Sequence, residues 1–290
     1  MIKEAIIIDG KKISEQLLAE LKSKIDADKK LQAKPPKLAI ILVGDDPASS
    51  IYVNNKIRAA ARVGIITEFI AYTPDVLETS MLKEIDRLNK DEDISGIIVQ
   101  LPLPSHINKS KVIMAIDPNK DVDGFHPLNV GLLYSPLAHN FVSCTAMGCL
   151  HLIRSCIDDL SGKNVVVIGR SNIVGRPLAA LLLKEHCTVT ICHSRTKGLA
   201  TITKNADIVI SAVGNPKFLK KEHFNSEALV IDVGINRVES ENKYELVGDV
   251  DFHEVKKHVK YITPVPGGVG PMTVAYLLLN TYSGAKRNNS

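Results

Sequence analysis

The sequence predicts an α/β protein of two domains, each a parallel sheet with crossover helices. Three observations predict it. Short apolar runs of strand length alternate with segments of helical period, the pattern left by parallel strands joined through helices. The alternation comes as two series, separated by a Gly-, Pro- and Asn-rich stretch over residues 118–136. A length of 290 residues fits two domains at ~150 residues each.

In the first series, residues 38–43 form a continuous apolar run, a buried strand. Asp45-Asp-Pro47 then opens a helix with an acidic cap and a proline in its first turn, and Gly64 closes it. This helix carries Tyr52 and Lys56, four residues apart and so on one face. A strand over 65–72, a helix over 77–90 and a strand over 96–100 follow, the last stopped by Pro102 and Pro104. Beyond the irregular stretch, residues 145–156 read as a helix and 161–164 as a turn. The second series runs through a strand at 165–168, a helix from Pro177 to about 185, a strand at 189–192, a helix near 199–205, and strands at 208–211 and 229–232. Residues 286–290 read as a frayed end.

Composition narrows the function. A net charge of +4, with Lys and Arg scattered and only 4% aromatic residues, does not suit nucleic acid and leaves small anionic ligands as partners. Five cysteines without a Cys-x-x-Cys or Cys/His cluster argue against a disulfide framework and a structural metal. The first ten residues do not make a signal or transit peptide, and no segment is long enough to span a bilayer, so the chain reads as cytoplasmic.

Gly169-Arg-Ser-Asn-Ile-Val-Gly175 follows an apolar strand and precedes a helix, the setting in which a glycine turn presents backbone N–H groups to a pyrophosphate. Ser171 stands at the second glycine position of the usual fingerprint, and the last glycine falls one residue late. About 20 residues beyond Gly169, where NAD enzymes carry an acid, the chain has His193-Ser194-Arg195. A hydroxyl and guanidinium donors suit a 2′-phosphate, so the reading is NADP, with Arg170 a second donor.

On the substrate side, Gln100 ends its strand, within reach of Lys56. Asp121-Val-Asp123-Gly124 offers a carboxylate suited to the paired N–H donors of a flat heterocycle. Two acids without clustered histidines make a poor metal site. Residues 263–273 hold three glycines and three prolines in eleven positions, which reads as a shaped loop rather than strand or helix.

These motifs, in this order, resemble the bifunctional methylenetetrahydrofolate dehydrogenase and methenyltetrahydrofolate cyclohydrolase family of one-carbon metabolism. The resemblance rests on Tyr52-x-x-x-Lys56, Val99-Gln-Leu-Pro-Leu-Pro104, Lys120-Asp-Val-Asp-Gly124, Gly169-Arg-Ser-x-Ile-Val-Gly175, Asp232-Val-Gly-Ile-Asn236, Gly248-Asp-Val-Asp251 and Pro264-Val-Pro-Gly-Gly-Val-Gly-Pro-Met-Thr273, and extends from Ile8 to about Leu279. It implies two α/β domains flanking a cleft: a folate-binding catalytic domain over 1–147, completed by a C-terminal helix over 272–290, and a Rossmann-like NADP-binding domain over 148–271. It implies Lys56 as the principal catalytic residue, Gln100 as its tuning partner, Tyr52 as a ring against the folate and Asp123 as the pterin anchor. Pro264, Gly267 and Gly268 would approach the substrate. Gly169, Arg170, Ser171, Gly175, Ser194, Ile235 and Thr145 would line the NADP site. The implied partners are tetrahydrofolate derivatives, polyglutamylated forms among them, and a second copy of the chain, paired through the NADP domains. The implied product serves purine biosynthesis.

The family's Pro-Cys-Thr-Pro segment stands here as Ser143-Cys-Thr-Ala146, without two φ-fixing rings. An amine acts as a base only where its pKa falls below the usual ~10.4, and burial or a neighbouring cation are the forces that achieve this for a lysine. Three other readings stand beside this one. Short-chain dehydrogenases share Tyr-x-x-x-Lys, but their nucleotide turn precedes the pair, whereas Tyr52 precedes Gly169. A dehydrogenase without cyclohydrolase activity would accumulate the methenyl compound. A non-catalytic folate or nucleotide binder would bind without turnover.

Overall fold

The structure is a computed structural model and describes residues 4–135, 137, 141–240 and 243–288. It divides into two compact units: one holds the chain up to Ser14 with Thr145–Thr273, the other Glu15–Cys144 with the C-terminal segment from Val274. Strand β1 (Ile6–Ile7) and helix α1 (Gly10–Ala27) open the chain.

The Glu15–Cys144 unit continues through α2 (Lys29–Ala33), β2 (Lys37–Val43), α3 (Pro47–Val63), β3 (Ile66–Tyr72), α4 (Glu78–Lys90), β4 (Gly96–Val99), α5 (Lys109–Ala115) and α6 (Pro127–Leu132). Its sheet has the order β3-β2-β4 and is parallel throughout. The central strand β2 is buried from Leu38 to Val43, as its unbroken apolar run requires. Its side chains alternate between two cores. Leu38, Ile40 and Leu42 meet α1, α3 and the C-terminal helix, while Ala39, Ile41 and Val43 meet α4 and α5.

Helix α3 follows its sequence signals closely. The Asp46 carboxylate accepts from the Ser49 N–H at 2.8 Å, Pro47 occupies the first turn, and Gly64 ends the helix at φ 85°. Its buried positions are Ser49, Val53, Lys56, Ala60 and Val63. That is one stripe at the spacing of a core-facing helix, with a lysine at its centre.

The second unit contains α7 (Cys144–Arg154), β5 (Asn164–Ile168), α8 (Gly175–Lys184), β6 (Thr188–Cys192), α9 (Leu199–Lys204), β7 (Ile208–Ser211), β8 (Leu229–Asp232), the antiparallel pair β9 (Asn236–Ser240) and β10 (Lys243–Val247), α10 (Phe252–Val255), β11 (Tyr261–Ile262) and the start of α11 (Val269–Asn288). Its six-stranded parallel sheet has the order β1-β11-β8-β7-β5-β6. From β5 the chain steps outward to β6 and then returns to β7 on the other side. The switch point therefore lies between the carboxyl ends of β5 and β7.

Three expectations are corrected. The chain up to Ser14 belongs to the nucleotide unit rather than to the first domain: Ile6 and Ile7 pair with Tyr261 and Ile262, adding a strand to that sheet. Residues 263–273 are not wholly a loop, because α11 begins at Val269 and takes Pro271 into its first turn, where a missing N–H costs nothing. The C-terminal end is helical through residue 288 rather than frayed from 286, and the Lys286 ammonium pairs with Asp28 at 2.6 Å; residues 289 and 290 lie outside the described residues. The irregular 118–136 stretch contains α6, and its last residue, Pro136, lies outside the described residues too.

Because Asp46 caps the helix that carries Lys56, Asp46→Ala is expected to lower the unfolding free energy by about 1 kcal/mol. Urea denaturation checks this, and an unchanged midpoint contradicts it.

Candidate active site and nucleotide turn

Tyr52, Lys56, Gln100 and Asp123 all fall in the unit built on β2. Lys56 Nζ donates to Gln100 Oε1 at 2.9 Å. The Gln100 amide is held in that orientation because its Nε2 donates to the Leu101 carbonyl at 2.7 Å, leaving the oxygen toward the lysine. The Gln100 backbone N–H donates to Ile41 O at 2.8 Å, so this side chain sits at the carboxyl end of β4, as its place in the sequence predicts. Tyr52 stands one turn before Lys56, half-buried, and burial raises its phenol pKa, keeping the hydroxyl protonated.

Asp123 completes the cluster. Desolvation raises its pKa and the Lys56 charge opposes the rise, which places the carboxylate in the lysine's field. It accepts no hydrogen bond from the described residues. Its neighbours in Lys120-Asp-Val-Asp-Gly124 are, by contrast, fully engaged. Lys120 Nζ donates to the carbonyls of Leu88, Asn89 and Asp91 at 3.0, 2.7 and 2.7 Å, meeting the carboxyl end of α4 with a positive charge. The Asp121 carboxylate accepts from the N–H groups of Phe125 and His126 at 3.2 and 2.8 Å and from Asn129 Nδ2 at 2.9 Å. Burial nevertheless pushes its pKa up to about 6. Gly124 has φ 72°, and a Cβ there would strike the Val142–Ser143 peptide. Ser143 and Ala146, which replace prolines of the family pattern, are both buried, so packing holds a segment that lacks the two rings.

Thr145, Gly169, Arg170, Ser171, Gly175, Ser194, Ile235, Pro264, Gly267 and Gly268 fall in the other unit. Gly169 has φ 124°, and its α-carbon packs on the Ala212 carbonyl at the end of β7, across the switch point. A Cβ on Gly175 would strike the Gly169 backbone, so both glycines are required for the turn to close. The Ser171 hydroxyl accepts from the Val174 N–H at 3.1 Å, and the Ser171 carbonyl accepts from Arg176 N–H at 3.0 Å. The backbone N–H groups of Arg170, Ser171 and Asn172 have no partner among the described residues. They lie at the head of α8, where a helix N-terminus and open N–H groups suit an anion. Ser194 and Arg195 lie exposed beyond β6, the neighbour of β5, and neither their side chains nor that of Arg170 is hydrogen-bonded within the described chain. Thr145 Oγ1 shares a hydrogen bond of 3.2 Å with Thr273 Oγ1. Gly267 accepts from the Lys11 N–H at 2.9 Å, and Gly10 packs directly on Gly268. Ile235 is exposed and lies near Gly270. Among the described residues no group of three or more His, Cys, Asp or Glu could hold a metal ion.

Two matched regions divide the chain in the same sense as its site residues. A family model described as the tetrahydrofolate dehydrogenase/cyclohydrolase catalytic domain matches residues 8–123, and one described as the NAD(P)-binding domain of the same enzymes matches residues 143–289. The chain belongs to the tetrahydrofolate dehydrogenase/cyclohydrolase family. It is 56% identical over 280 residues to the bifunctional protein FolD of Rickettsia massiliae, covering 97% of this chain and 96% of that one. Among solved structures, the FolD methylenetetrahydrofolate dehydrogenase/cyclohydrolase of Campylobacter jejuni aligns with a TM-score of 0.93 at 46% identity, over 98% of this chain and 99% of that one. The methylenetetrahydrofolate dehydrogenase-cyclohydrolase of Trypanosoma brucei, complexed with NADP and an inhibitor, aligns with a TM-score of 0.94 at 40% identity, over 98% of both chains.

The motifs pointed to Asp232 and Asp249 without saying what they do. The Asp232 carboxyl accepts from the N–H groups of Gly234, Asp249 and Val250 at 3.1, 3.0 and 2.8 Å. The Asp249 carboxylate accepts from Ser211 Oγ, Asn236 Nδ2 and the N–H groups of Val213, Gly214 and Asn215, at 2.8 to 3.3 Å. Together they tie down the turns that leave β7 and β8. Burial pushes Asp232 up to about 7, overcoming the pull of its donors, and Asp249 adds to the rise. Folding therefore raises its proton affinity, so the stability it contributes is complete below about pH 4 and is lost as the pH rises through about 7. The unfolding free energy of the parent minus that of Asp232→Asn is expected to fall between those limits. A difference that is flat with pH in urea titrations contradicts this.

Proposed function

We propose that this chain oxidises 5,10-methylenetetrahydrofolate to the methenyl compound with NADP and then hydrolyses that product to 10-formyltetrahydrofolate. The observation that carries the reading is the buried Lys56, hydrogen-bonded to Gln100 and close to a carboxylate, Asp123, that accepts no hydrogen bond from the described residues.

The open N–H groups of residues 170–172 fit a pyrophosphate, and the donors of Arg170, Ser194 and Arg195, which pair with no described residue and stand at the ends of adjacent strands, fit the 2′-phosphate of NADP. NADP, when bound, supplies the acceptor for the hydride that the substrate's bridging methylene loses. The chain's own work on the folate side is to hold the heterocycle at Asp123, whose carboxylate matches a pair of N–H donors, and to offer the Tyr52 ring as a stacking surface.

Hydride loss leaves a methenyl cation spread over two nitrogens, and this step asks no proton of the protein. Hydrolysis does. Water adds to the methenyl carbon while the Lys56 amine takes one of its protons; the bond from that carbon to N5 then breaks, N5 keeps the electron pair and takes the proton that the added hydroxyl gives up as it becomes the 10-formyl carbonyl, and Lys56 releases its proton to solvent. Gln100 fixes where the Lys56 nitrogen stands.

We also place the chain in the cytoplasm, on its five unpaired cysteines, as a homodimer joined through the nucleotide units. The exposed Ile191 on edge strand β6 and Leu183 on α8 support that face as the contact. Polyglutamylated folates are the substrates and purine synthesis the use of the product.

Lys56→Met is the direct test of the lysine's role. Hydrolysis of supplied methenyltetrahydrofolate is expected to fall by about 10²- to 10⁴-fold, the usual worth of a general base, while methylene oxidation continues. Normal hydrolysis by the folded variant contradicts the assignment.

A further inference from the structure

We propose that Asn280, on α11, is a positioning residue that aims the Asp123 carboxylate at the substrate's heterocycle. The inference rests on the reading of Asp123 as the group that holds that heterocycle.

The Asn280 amide nitrogen donates to the Val122 carbonyl at 2.8 Å and to the Val142 carbonyl at 3.1 Å, with the Cys144 sulfur a longer contact at 3.5 Å, so its two hydrogens serve mainly these backbone oxygens. The Val122 carbonyl belongs to the peptide plane that leads directly into Asp123. A planar peptide held at its oxygen fixes the direction in which the next α-carbon departs. The Cys144 thiol donates to the same carbonyl at 3.2 Å, occupying its second lone pair. On the far side of Asp123, Gly124 lies flush on the Val142–Ser143 peptide, the partner of the second Asn280 bond. Asp123 is therefore bracketed by two fixed points.

That matters because the Asp123 side chain has no fixing contact of its own among the described residues. A carboxylate that must leave both oxygens to a ligand cannot be aimed by hydrogen bonds to its own oxygens, so its backbone has to do the aiming. Asn280 is suited to this because its helix is anchored: Ala275, Leu277 and Leu278 are buried in the core that also takes Val53 and Ala60 of α3, the Lys56 helix. A single amide thus refers the Asp123 loop to the core that seats the catalytic lysine.

The test is a double-mutant cycle on the full-length enzyme, with Asn280→Leu, Asp123→Ala and the pair, following KM for methylenetetrahydrofolate and for NADP. Asn280→Leu is expected to raise the folate KM by about tenfold, the size of one net hydrogen bond to a positioned group, with the NADP KM within about twofold of the parent. In the Asp123→Ala background the same change is expected to add less than about twofold, since the group it aims has gone. An unchanged folate KM in folded Asn280→Leu, or a full tenfold rise in both backgrounds, overturns the proposal. If Asn280→Leu does not fold, Asn280→Ser, which can reach only one carbonyl, is judged by the same criteria. A normal folate KM in Asp123→Ala alone overturns the underlying role of Asp123 and the proposal with it, whereas a raised one with a silent Asn280→Leu overturns only the proposal.

Discussion

A lysine at the centre of a buried helix stripe is the constraint on which the rest of the catalytic unit depends. Ser49, Val53, Ala60 and Val63 are what that stripe asks for, and Lys56 is not. Buried charge is tolerated only with partners. The unit supplies an amide oxygen at hydrogen-bond distance and a carboxylate that feels the lysine's charge, brought from the end of β4 and from the loop that follows α5. The three-stranded sheet can be seen as the device that delivers them: it sets α3 against the carboxyl end of β4, where Gln100 emerges.

The acidic motifs of both units are tied into the backbone around them. Most of their carboxylates spend their hydrogen bonds on backbone donors. In 120–124, Lys120 and Asp121 stitch the loop to α4 and to the start of α6, while Asp123 accepts no hydrogen bond from the described residues. In the nucleotide unit, Asp232 and Asp249 consume eight donors between them to hold the turns after β7 and β8, next to the exposed Ile235. Such carboxylates act on function only through the backbone they restrain.

Much of this was legible from local sequence. The cap, the proline and the terminal glycine of α3 are local signals with local causes, and the glycine turn after β5 is read from the close approach that only glycine permits. The Lys56–Gln100 bond followed from Gln100 standing at a strand end. What local sequence hid was long-range. Ile6 and Ile7 are too few to announce a strand, and their pairing depends on β11, more than 250 residues away. The hairpin of β9 and β10 sits in a polar run with little alternation. The first turn of α11 is disguised by glycines and prolines that serve the preceding loop. Asn280 had one available signal, a lone amide following Leu277, Leu278 and Leu279, and that signal names no partner.

The central claim is that one chain carries out both steps. It is tested most directly by supplying methylenetetrahydrofolate with NADP and following reduced cofactor and methenyl absorbance together. The account predicts that NADPH appears while the methenyl compound stays low because it passes on to 10-formyltetrahydrofolate. Failure to reduce the cofactor, or methenyltetrahydrofolate accumulating in step with NADPH and decaying only at its uncatalysed rate, would contradict it.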